Sequence, residues 1–454
     1  MPVSIKENRD PTPEVIPVRS LDAEIDSSPN LIDGAENAAN KTHNNTNPSQ
    51  VIRCRTKDNI QKRANALRPA ISASRTASGE RLQGLFVMMH CTSMLLFTAL
   101  YFFLWCTPIL WPFMIYYTLF HYILDKSPVD GGVFYKRSDG LRRLGCWKIL
   151  VDYFPIRFHK MADLKPTFRM NDMSPSPQQI GPKYIFGYHP HGVIATGVAS
   201  GFTNNGTGWD EIFPGVRCFV TTLVNQFHIP FYRDYLMALG VTTVVKKNLK
   251  LLLAKGASVV IVVGGARESL LAKPGLNSLV LQKRKGFIKL ALECVDSHGI
   301  CVVPVYGFGE NDVYNIFFTD DHQKNGIDEK EGEFEFQREN SLINVKEIVF
   351  IVKKIVYKIQ MLLKDNFGWT VPIVISRGIF NGDFGIVPYP KPINVVFGKP
   401  IQVTRLFGNN VDDPVMQEEI DFWHDKYIQG LEEVWNWGRP QFSHPGDSNL
   451  KIVE

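Results

Sequence analysis

Cysteine is scarce and scattered in this chain of 454 residues, which has seven cysteines and no pair at the CxxC spacing. A disulfide framework or a cysteine-based zinc module is therefore not expected, and the cysteines are predicted to be reduced and mostly buried. The HExxH, P-loop and GxGxxG patterns are also missing, which disfavours a zinc hydrolase, an ATP-binding protein and a dinucleotide-binding protein. No repeat of about 20 to 50 residues is present, which excludes solenoids and propellers.

Net charge is small, because 50 Lys and Arg side chains nearly balance 45 Asp and Glu side chains and leave +5. Such an excess does not by itself predict nucleic-acid binding, and no nucleic-acid partner is expected. The charge is unevenly distributed, since residues 1–50 carry four basic and eight acidic side chains and residues 51–81 carry eight basic and two acidic ones. The first residues show no basic stretch followed by an apolar run, so no cleaved secretory signal is expected.

Two polar segments interrupt the otherwise globular composition. Residues 1–80 are rich in Asn, Ser, Pro and charge and show no apolar periodicity, so they are predicted to form a disordered polar tail. Residues 320–341 are acidic and contain glycine, which predicts a surface insertion. Residues 126–454, which include this insertion, are expected to fold as one α/β domain facing the cytosol.

A stretch without any Asp, Glu, Lys or Arg runs from Leu82 to Leu124. One bilayer span takes roughly 20 apolar residues, so this stretch is long enough for about two spans. Pro108 and Pro112 fall near its middle and would break one long helix into two. We predict a membrane-embedded helical hairpin over 81–125, with both ends in the cytosol because basic residues flank it on both sides. A buried helical pair in a soluble core is the alternative.

Beyond the hairpin, short β-branched runs alternate with helical patterns. The predicted strands are KYIFGY (183–188), SVVIVVGG (258–265), GICVVPVYGFG (299–309), VPIVIS (371–376) and INVVFG (393–398). The predicted helices between them include RDYLMALG (233–240) and RKGFIKLALECV (284–295). This alternation predicts an α/β fold in which one mixed sheet, parallel in part, is flanked by helices.

Residues 345–364 combine an apolar helical face with five lysines placed elsewhere on the helix. Such a helix suits a membrane surface. Packing against the core, with the lysines in solvent, explains the pattern equally well.

Two histidines follow the first predicted strand in FGYHPHG, where Pro190 stiffens the turn that carries His189 and His191. A neutral imidazole near pH 7 can take a proton from a hydroxyl, which typically contributes about 10² to 10⁴ in rate. Metal ligation is a second possibility, but no third ligand lies nearby in the sequence. A purely structural histidine is the third.

A second group of polar residues and glycines follows the strand SVVIVV. Gly264 and Gly265 at a strand end can present N–H donors to an anion or to a developing oxyanion. Arg267 and Glu268 come directly after them, and Glu268 is a candidate to orient and polarise a histidine.

A third group lies around the next helix and strand. Arg284 and Lys285 lie at the N-terminus of the predicted helix, where they can hold phosphates, although a solvent-facing charge run is the commoner interpretation. Glu310 ends the strand that follows.

Together these motifs resemble the type-2 diacylglycerol acyltransferase family, and its fungal members most closely. The resemblance covers about residue 80 to the end of the chain. It rests on Tyr153-Phe154-Pro155, HPHG at 189–192, QFHIPFYRDYLMALG, VVGGARESLL, the block from KRKGFIKLA to VPVYGFGE, and PINVVFGKPI. The wider glycerolipid acyltransferases use an HxxxxD dyad, and this chain departs from it, because Ile194 and Thr196 stand five residues beyond His189 and His191.

The resemblance implies a glycerolipid-acyltransferase-like fold and the transfer of a fatty acyl group from acyl-CoA to the free hydroxyl of diacylglycerol, with neither metal nor bound cofactor. His191 by preference, or His189, is then the general base, and Glu268 replaces the missing aspartate. Gly264 and Gly265 are the implied oxyanion donors. The implied substrate and CoA contacts are Gly192, Arg267, Arg284, Lys285, Glu310, Tyr153, Phe154 and Pro155, with ordinary packing as the alternative for the aromatic pair.

The implied partners are acyl-CoA, diacylglycerol and a lipid surface, with a homo-oligomer left open. A cytosol-facing domain on a hairpin predicts the endoplasmic reticulum membrane and the lipid droplet as locations. Monoacylglycerol, a long-chain alcohol or a sterol are alternative acceptors for the same chemistry. A lipid-droplet-binding protein without turnover is the alternative from another class.

Overall fold

The computed structural model describes residues 77–169, 178–270, 272–316, 358, 374–378, 385–407 and 413–453. The predicted tail up to residue 76, the insertion at 320–341 and nearly all of the amphipathic stretch 345–364 lie outside the described residues. All of the structure below belongs to one compact unit, Arg75–Glu454.

Thirteen α-helices are described, most of them short. They are α1 Ala77–Cys91, α2 Ser93–Trp105, α3 Trp111–Leu119, α4 Val133–Lys136, α5 Asp139–Arg142, α6 Cys146–Tyr153, α7 Thr196–Gly201, α8 Trp209–Ile212, α9 Tyr232–Ala238, α10 Lys246–Ala254, α11 Gly265–Ser269, α12 Gly286–Leu292 and α13 Gln417–Phe442. Short 3₁₀ helices cover Pro108–Leu110, Val224–His228 and Glu310–Val313, and a π-helical turn covers Phe120–Leu124.

Twelve strands are described alongside these helices. They are β1 Arg157–Lys160, β2 Lys183–His189, β3 Cys218–Thr222, β4 Val241–Thr243, β5 Ser258–Val262, β6 Ser278–Val280, β7 Ile300–Phe308, β8 Asn315–Ile316, β9 Val374–Ile375, β10 Asn394–Phe397, β11 Ile401–Val403 and β12 Lys451–Val453. The alternation of strands and helices along the chain confirms the predicted α/β fold.

The main sheet has eight strands in the order β1-β10-β7-β2-β5-β3-β4, with β11 also pairing with β7. The five strands from β7 to β4 are mutually parallel, whereas β10 and β11 run antiparallel to β7. The sheet is therefore mixed and mostly parallel, as the sequence predicts. Its central strand, β2, is buried along its whole length, which suits a strand covered by helices on both faces.

Two small sheets correct the prediction that all apolar runs join one sheet. The VPIVIS segment contributes β9, which pairs antiparallel with β8 in a separate two-stranded sheet. The C-terminal strand β12 pairs in parallel with β6 in another. An apolar run predicts burial, but it does not specify the partner that buries it.

The charge-free stretch is divided into three helical segments. The break at the prolines is confirmed, because α2 ends at Trp105 and a 3₁₀ helix begins at Pro108. A second break, not expected from the sequence, separates α1 from α2 at Thr92. Among the described residues no single helix is both long and apolar enough to cross a bilayer, whereas Arg81–Cys91 and Ser93–Trp105 meet that requirement together despite a bend of 69°.

Aromatic side chains fill the core on one side of the sheet. Phe186 of β2 and Phe397 of β10 both contact Trp209, and Phe202 packs against the same indole ring with centroids 5.3 Å apart. All four side chains are essentially inaccessible to solvent. This packing fixes the central strands rigidly, and therefore also the residues at their ends.

Candidate active site

The candidate residues meet at the carboxyl edge of the three central strands. β2 pairs in parallel with β5 on one side and β7 on the other, so the three strands end at the same edge of the sheet. His189 is the last residue of β2, and β5 and β7 lead into Gly264 and Glu310. Ligands of open α/β sheets bind outside this edge, so the fold gathers the three sequence groups where chemistry is expected.

His191 is held by its backbone and leaves one ring nitrogen available. Its backbone N–H donates to Glu268 Oε1 at 2.5 Å, and its Nδ1 lies 3.0 Å from the carbonyl oxygen of Gly192. A carbonyl can only accept, so Nδ1 carries the proton and Nε2 carries the lone pair. Burial lowers the pKa of His191, which keeps the ring neutral near pH 7. This is the protonation state that a general base needs.

Glu268 is buried next to this histidine, but it contacts the backbone rather than the ring. Its second oxygen, Oε2, accepts the N–H of Val280 at 2.7 Å. Burial raises the pKa of Glu268 to about 7. The prediction that its carboxylate orients the imidazole needs correction, because both oxygens are taken by backbone N–H groups of residues 191 and 280. Glu268 instead fixes the position of the loop that carries His191.

Glu310 supports the other side of the same loop. Its oxygens accept the N–H groups of Thr196 and Gly197 at 2.5 and 2.8 Å and the Tyr188 hydroxyl at 2.7 Å. Gly192, with φ of +60°, leaves room for this carboxyl, since a Cβ there would lie 2.7 Å from Glu310 Cγ. Burial raises the pKa of Glu310 to about 7. The structure thus gives Glu310 internal partners, and its predicted contact with substrate stays a prediction.

His189 is fully buried, unlike His191. Its Nε2 lies 2.9 Å from the hydroxyl of Tyr427, and its Nδ1 has no hydrogen-bond partner among the described residues. Burial, with the nearby His424, lowers the pKa of His189 to about 3. A side chain with no accessible surface cannot take a proton from a substrate hydroxyl, so the structural alternative is favoured for His189.

The strand-end glycines lie beside this pair. Gly264 packs against the carboxyl of Glu268, where a Cβ would overlap it, and Gly265 has φ of +64° with open space where its Cβ would be. A ligand can therefore approach the backbone at Gly265 closely. Glu268 contacts both the loop of Gly264 and Gly265 and the backbone of His191, so this loop is adjacent to the His191 backbone.

The three basic residues predicted to contact CoA differ in their surroundings. Arg267 and Arg284 are exposed, and the charge of Arg284 acts on Glu268, which places it near the site. Lys285 forms an ion pair with Asp421 of α13, with Nζ and Oδ1 2.7 Å apart. Two of the three predicted cations thus face solvent beside the site, and the third is tied to the C-terminal helix.

The Tyr153-Phe154-Pro155 motif lies within the core. Tyr153 and Phe154 are 3% and 0% exposed, and the Tyr153 hydroxyl donates to the carbonyl of Pro388 at 2.7 Å. Pro155 is half-buried. The packing alternative is therefore favoured for the two aromatic residues over direct substrate contact, because neither ring is reachable from outside.

One group outside the site has the composition of a metal site. His121, Asp125 and Asp234 offer ligand atoms within 4.8 Å of one another, in the part of the chain that the structure describes. Asp125 is already paired with Lys136 Nζ at 2.6 Å and Arg233 Nη2 at 2.8 Å. Two cations on this carboxylate disfavour a further metal ion, so the group is better described as an ion-pair network that joins the charge-free stretch to α9.

Four residues that contact the site were not predicted from the sequence. Tyr188 and the N–H groups at residues 196 and 197 hold Glu310, and Tyr427 reaches His189 from α13, which no sequence pattern was taken to predict. The signal for α13 was present, because Ile420, His424, Tyr427 and Leu431 recur at helical spacing. His424 and Tyr427 carry polar groups on this apolar face, and such a pattern indicates a buried polar contact.

The fold and the site define a class: an α/β enzyme with a neutral, accessible histidine at a strand end, suited to activating a hydroxyl. The family model for diacylglycerol acyltransferase matches residues 102–331 and 340–453. The chain belongs to this family and is an acyltransferase.

Individual relatives agree with the family assignment. Diacylglycerol O-acyltransferase 1 of Eremothecium gossypii is 38% identical over 85% of this chain and 81% of its own length. Its namesake in Saccharomyces cerevisiae is 38% identical over 87% of this chain and 92% of its own. Human 2-acylglycerol O-acyltransferase 3 is 31% identical over 76% of this chain and 85% of its own. No solved structure matches the chain.

Proposed function

We propose that this protein transfers a fatty acyl group from acyl-CoA to the free hydroxyl of diacylglycerol, giving triacylglycerol and CoA. The observation that carries the proposal is the state of His191: a neutral ring whose Nδ1–H is bound to the carbonyl of Gly192, leaving Nε2 as a proton acceptor. Family membership supplies the class of reaction.

In the proposed reaction, Nε2 of His191 takes the hydroxyl proton as the oxygen attacks the thioester carbonyl. A C–O bond forms, the negative charge moves to the carbonyl oxygen, and collapse of this intermediate breaks the C–S bond. The CoA sulfur leaves as the imidazolium returns the proton to it, so atoms and charges balance. This route needs neither a metal nor a bound cofactor.

The neighbouring loops supply the remaining functions in this proposal. Backbone N–H groups of Gly264 and Gly265 stabilise the developing oxyanion, an interaction worth roughly 3 to 4 kcal/mol where it has been removed in other enzymes. The exposed side chains of Arg267 and Arg284 suit the phosphates of CoA by charge, whereas Lys285 is already paired with Asp421.

The test is turnover of labelled acyl-CoA by membranes carrying the wild type or His191→Ala at matched protein levels. Loss of the general base lowers triacylglycerol formation by about 10² or more. His159→Ala is the matched control, because His159 is a partly buried histidine on the edge strand β1, bound to Asn394 and outside the site. Full activity in His191→Ala overturns the assignment of the base, and no turnover by the wild type overturns the enzyme function.

A second acceptor deserves a direct comparison, because the human relative is named a 2-acylglycerol O-acyltransferase. Monoacylglycerol presents the same hydroxyl nucleophile to the same base. Offering diacylglycerol, monoacylglycerol, a long-chain alcohol and a sterol separately ranks the acceptors by kcat/KM. A protein that only binds lipid droplets would turn over none of them and would keep its location after His191→Ala.

We also propose that the charge-free stretch contacts a lipid surface, at the endoplasmic reticulum membrane and the lipid droplet, with the α/β domain in the cytosol. Its large apolar side chains face outward, including Phe102, Phe103, Ile109 and Phe113, which are between 63% and 81% exposed. An apolar patch of this kind on a protein surface marks an interaction site. Diacylglycerol and triacylglycerol stay in lipid, so this location gives the enzyme access to them.

A further inference from the structure

A buried contact joins the C-terminal helix α13 to the end of β2. The hydroxyl of Tyr427 lies 2.9 Å from His189 Nε2 and 3.0 Å from the carbonyl oxygen of Gly187. Both side chains are 0% exposed, so water does not compete for these hydrogen bonds. The two ends of the contact are separated by 238 residues in the sequence.

The available protons fix the direction of both bonds. The carbonyl of Gly187 can only accept, so the single hydroxyl proton of Tyr427 goes to it. The Tyr427 oxygen then accepts from His189, whose proton must be on Nε2. The His189 ring stays neutral, because its burial opposes the charged form. Tyr427 thus connects the imidazole of one residue to the backbone of another two positions earlier.

Gly187 is the residue that admits this hydroxyl. A Cβ at position 187 would overlap the Tyr427 hydroxyl and lie 2.8 Å from its ring carbon Cζ. The ring of Tyr427 is also packed against Phe287 of α12, with centroids 4.7 Å apart. The hydroxyl is therefore held in place by packing of its ring as well as by its two hydrogen bonds.

The chain leaving β2 is then held from several directions. Tyr427 binds the segment at Gly187 and His189, and Glu268 binds the backbone N–H of His191 two residues further on. The Tyr427 contact lies at the end of the strand, and the Glu268 contact lies on the loop that follows it. Both contacts therefore constrain the backbone that carries the imidazole of His191.

We propose that Tyr427 is a positioning residue for acyl transfer: through His189 and Gly187 it fixes the strand end from which His191 reaches the substrate hydroxyl. This inference rests on the function proposed above. It gives His189 a role consistent with its burial, as the group through which α13 acts on the reacting loop. A misplacement of about 1 Å at a catalytic group is enough to lower the rate by orders of magnitude.

Tyr427→Phe removes the hydroxyl oxygen and keeps the ring. The expected result is a kcat about tenfold lower with diacylglycerol, because the hydrogen bonds to His189 and Gly187 are lost, with KM for acyl-CoA within about twofold of wild type. Tyr184→Phe is the matched control, since Tyr184 lies on the same strand, is buried, and donates one hydrogen bond to the carbonyl of Lys165.

A double-mutant cycle separates positioning from general destabilisation. A His189→Leu background already lacks the hydrogen bond between the two side chains, so adding Tyr427→Phe removes only the bond to Gly187 and should lower kcat by less than it does in the wild type. Additive losses overturn the proposal, as does an unchanged kcat in Tyr427→Phe, or an equal loss in Tyr184→Phe. Wild-type membranes that turn over no acyl-CoA overturn the proposed function itself, and this inference with it.

Discussion

At the residue scale, burial acts on the histidines and carboxyls of the site in opposite directions. It lowers the pKa of His191 and raises the pKa values of Glu268 and Glu310 to about 7. Both changes have one cause, because a low-dielectric surrounding disfavours the charged form of either group. The result is a neutral imidazole at neutral pH, between two carboxyls that accept backbone N–H groups.

The lowered pKa of His191 predicts how turnover depends on pH. A base whose pKa is lowered stays unprotonated below the ordinary histidine value of 6.5, so the acid limb of kcat/KM should fall below pH 6.5. The measurement is turnover of labelled acyl-CoA between about pH 5 and about pH 8. His159→Ala, outside the site, should leave the limb where it is. A limb centred above pH 6.5 would contradict control by His191 and would indicate Glu268 or Glu310, whose pKa values are about 7.

At the scale of elements, the segments α2 and α3 present apolar side chains outward, whereas α13 turns its apolar face inward. Hydrophobic content alone does not separate these two cases, since both kinds of helix contain aromatic and aliphatic residues. The separation lies in the absence of charge: α2 and α3 contain none, while α13 has Glu418 and Glu419 in its first turn and Arg439 in its last.

The exposed segment carries a prediction about membrane binding. Ile109→Asp with Phe113→Asp should lower the membrane-bound fraction at least tenfold, because an aspartate costs about 2.5 to 3.5 kcal/mol at the centre of a membrane helix. Phe407→Asp is the matched control, as Phe407 is 51% exposed but lies outside the charge-free stretch. Co-sedimentation with lipid vesicles measures the fraction. Equal losses in the control and the double variant would remove the special role of this segment.

At the scale of the whole molecule, the end of the chain closes onto the site. Strand β12 pairs with β6 in register Ile452↔Leu279 and Val453↔Val280. The N–H of Val280 binds Glu268, so the last strand supports the carboxyl that holds the His191 loop. Three segments far apart in sequence thereby form one chain of contacts.

Deletion of residues 450–454 tests this connection. Without its partner strand, β6 loses backbone hydrogen bonds, Glu268 loses a fixed donor, and turnover should fall at least about tenfold. Lys451→Ala is the control, because the exposed side chain is removed while the backbone pairing stays. Activity of the deleted chain within about twofold of wild type would show that the strand pairing does not support the site.

The sequence predicted the parts of the fold that depend on local pattern. The strands KYIFGY, SVVIVV and INVVFG were placed correctly, because β-branched runs bounded by glycine are typical of buried strands. The VPIVIS run was assigned to the wrong sheet, and α13 was not anticipated. Pairing partners are decided by long-range packing, which a local pattern does not contain.

The composition of the site was determined by the sequence itself: two histidines around a proline, a glycine turn before Glu268, and Glu310 after a strand. Their division of labour was decided by the tertiary structure. Burial separates His189 from His191, since one ring is sealed against Tyr427 and the other keeps a lone pair available. Glu268 contacts a backbone N–H rather than the imidazole because parallel strands bring loops together at one edge without specifying which atoms meet.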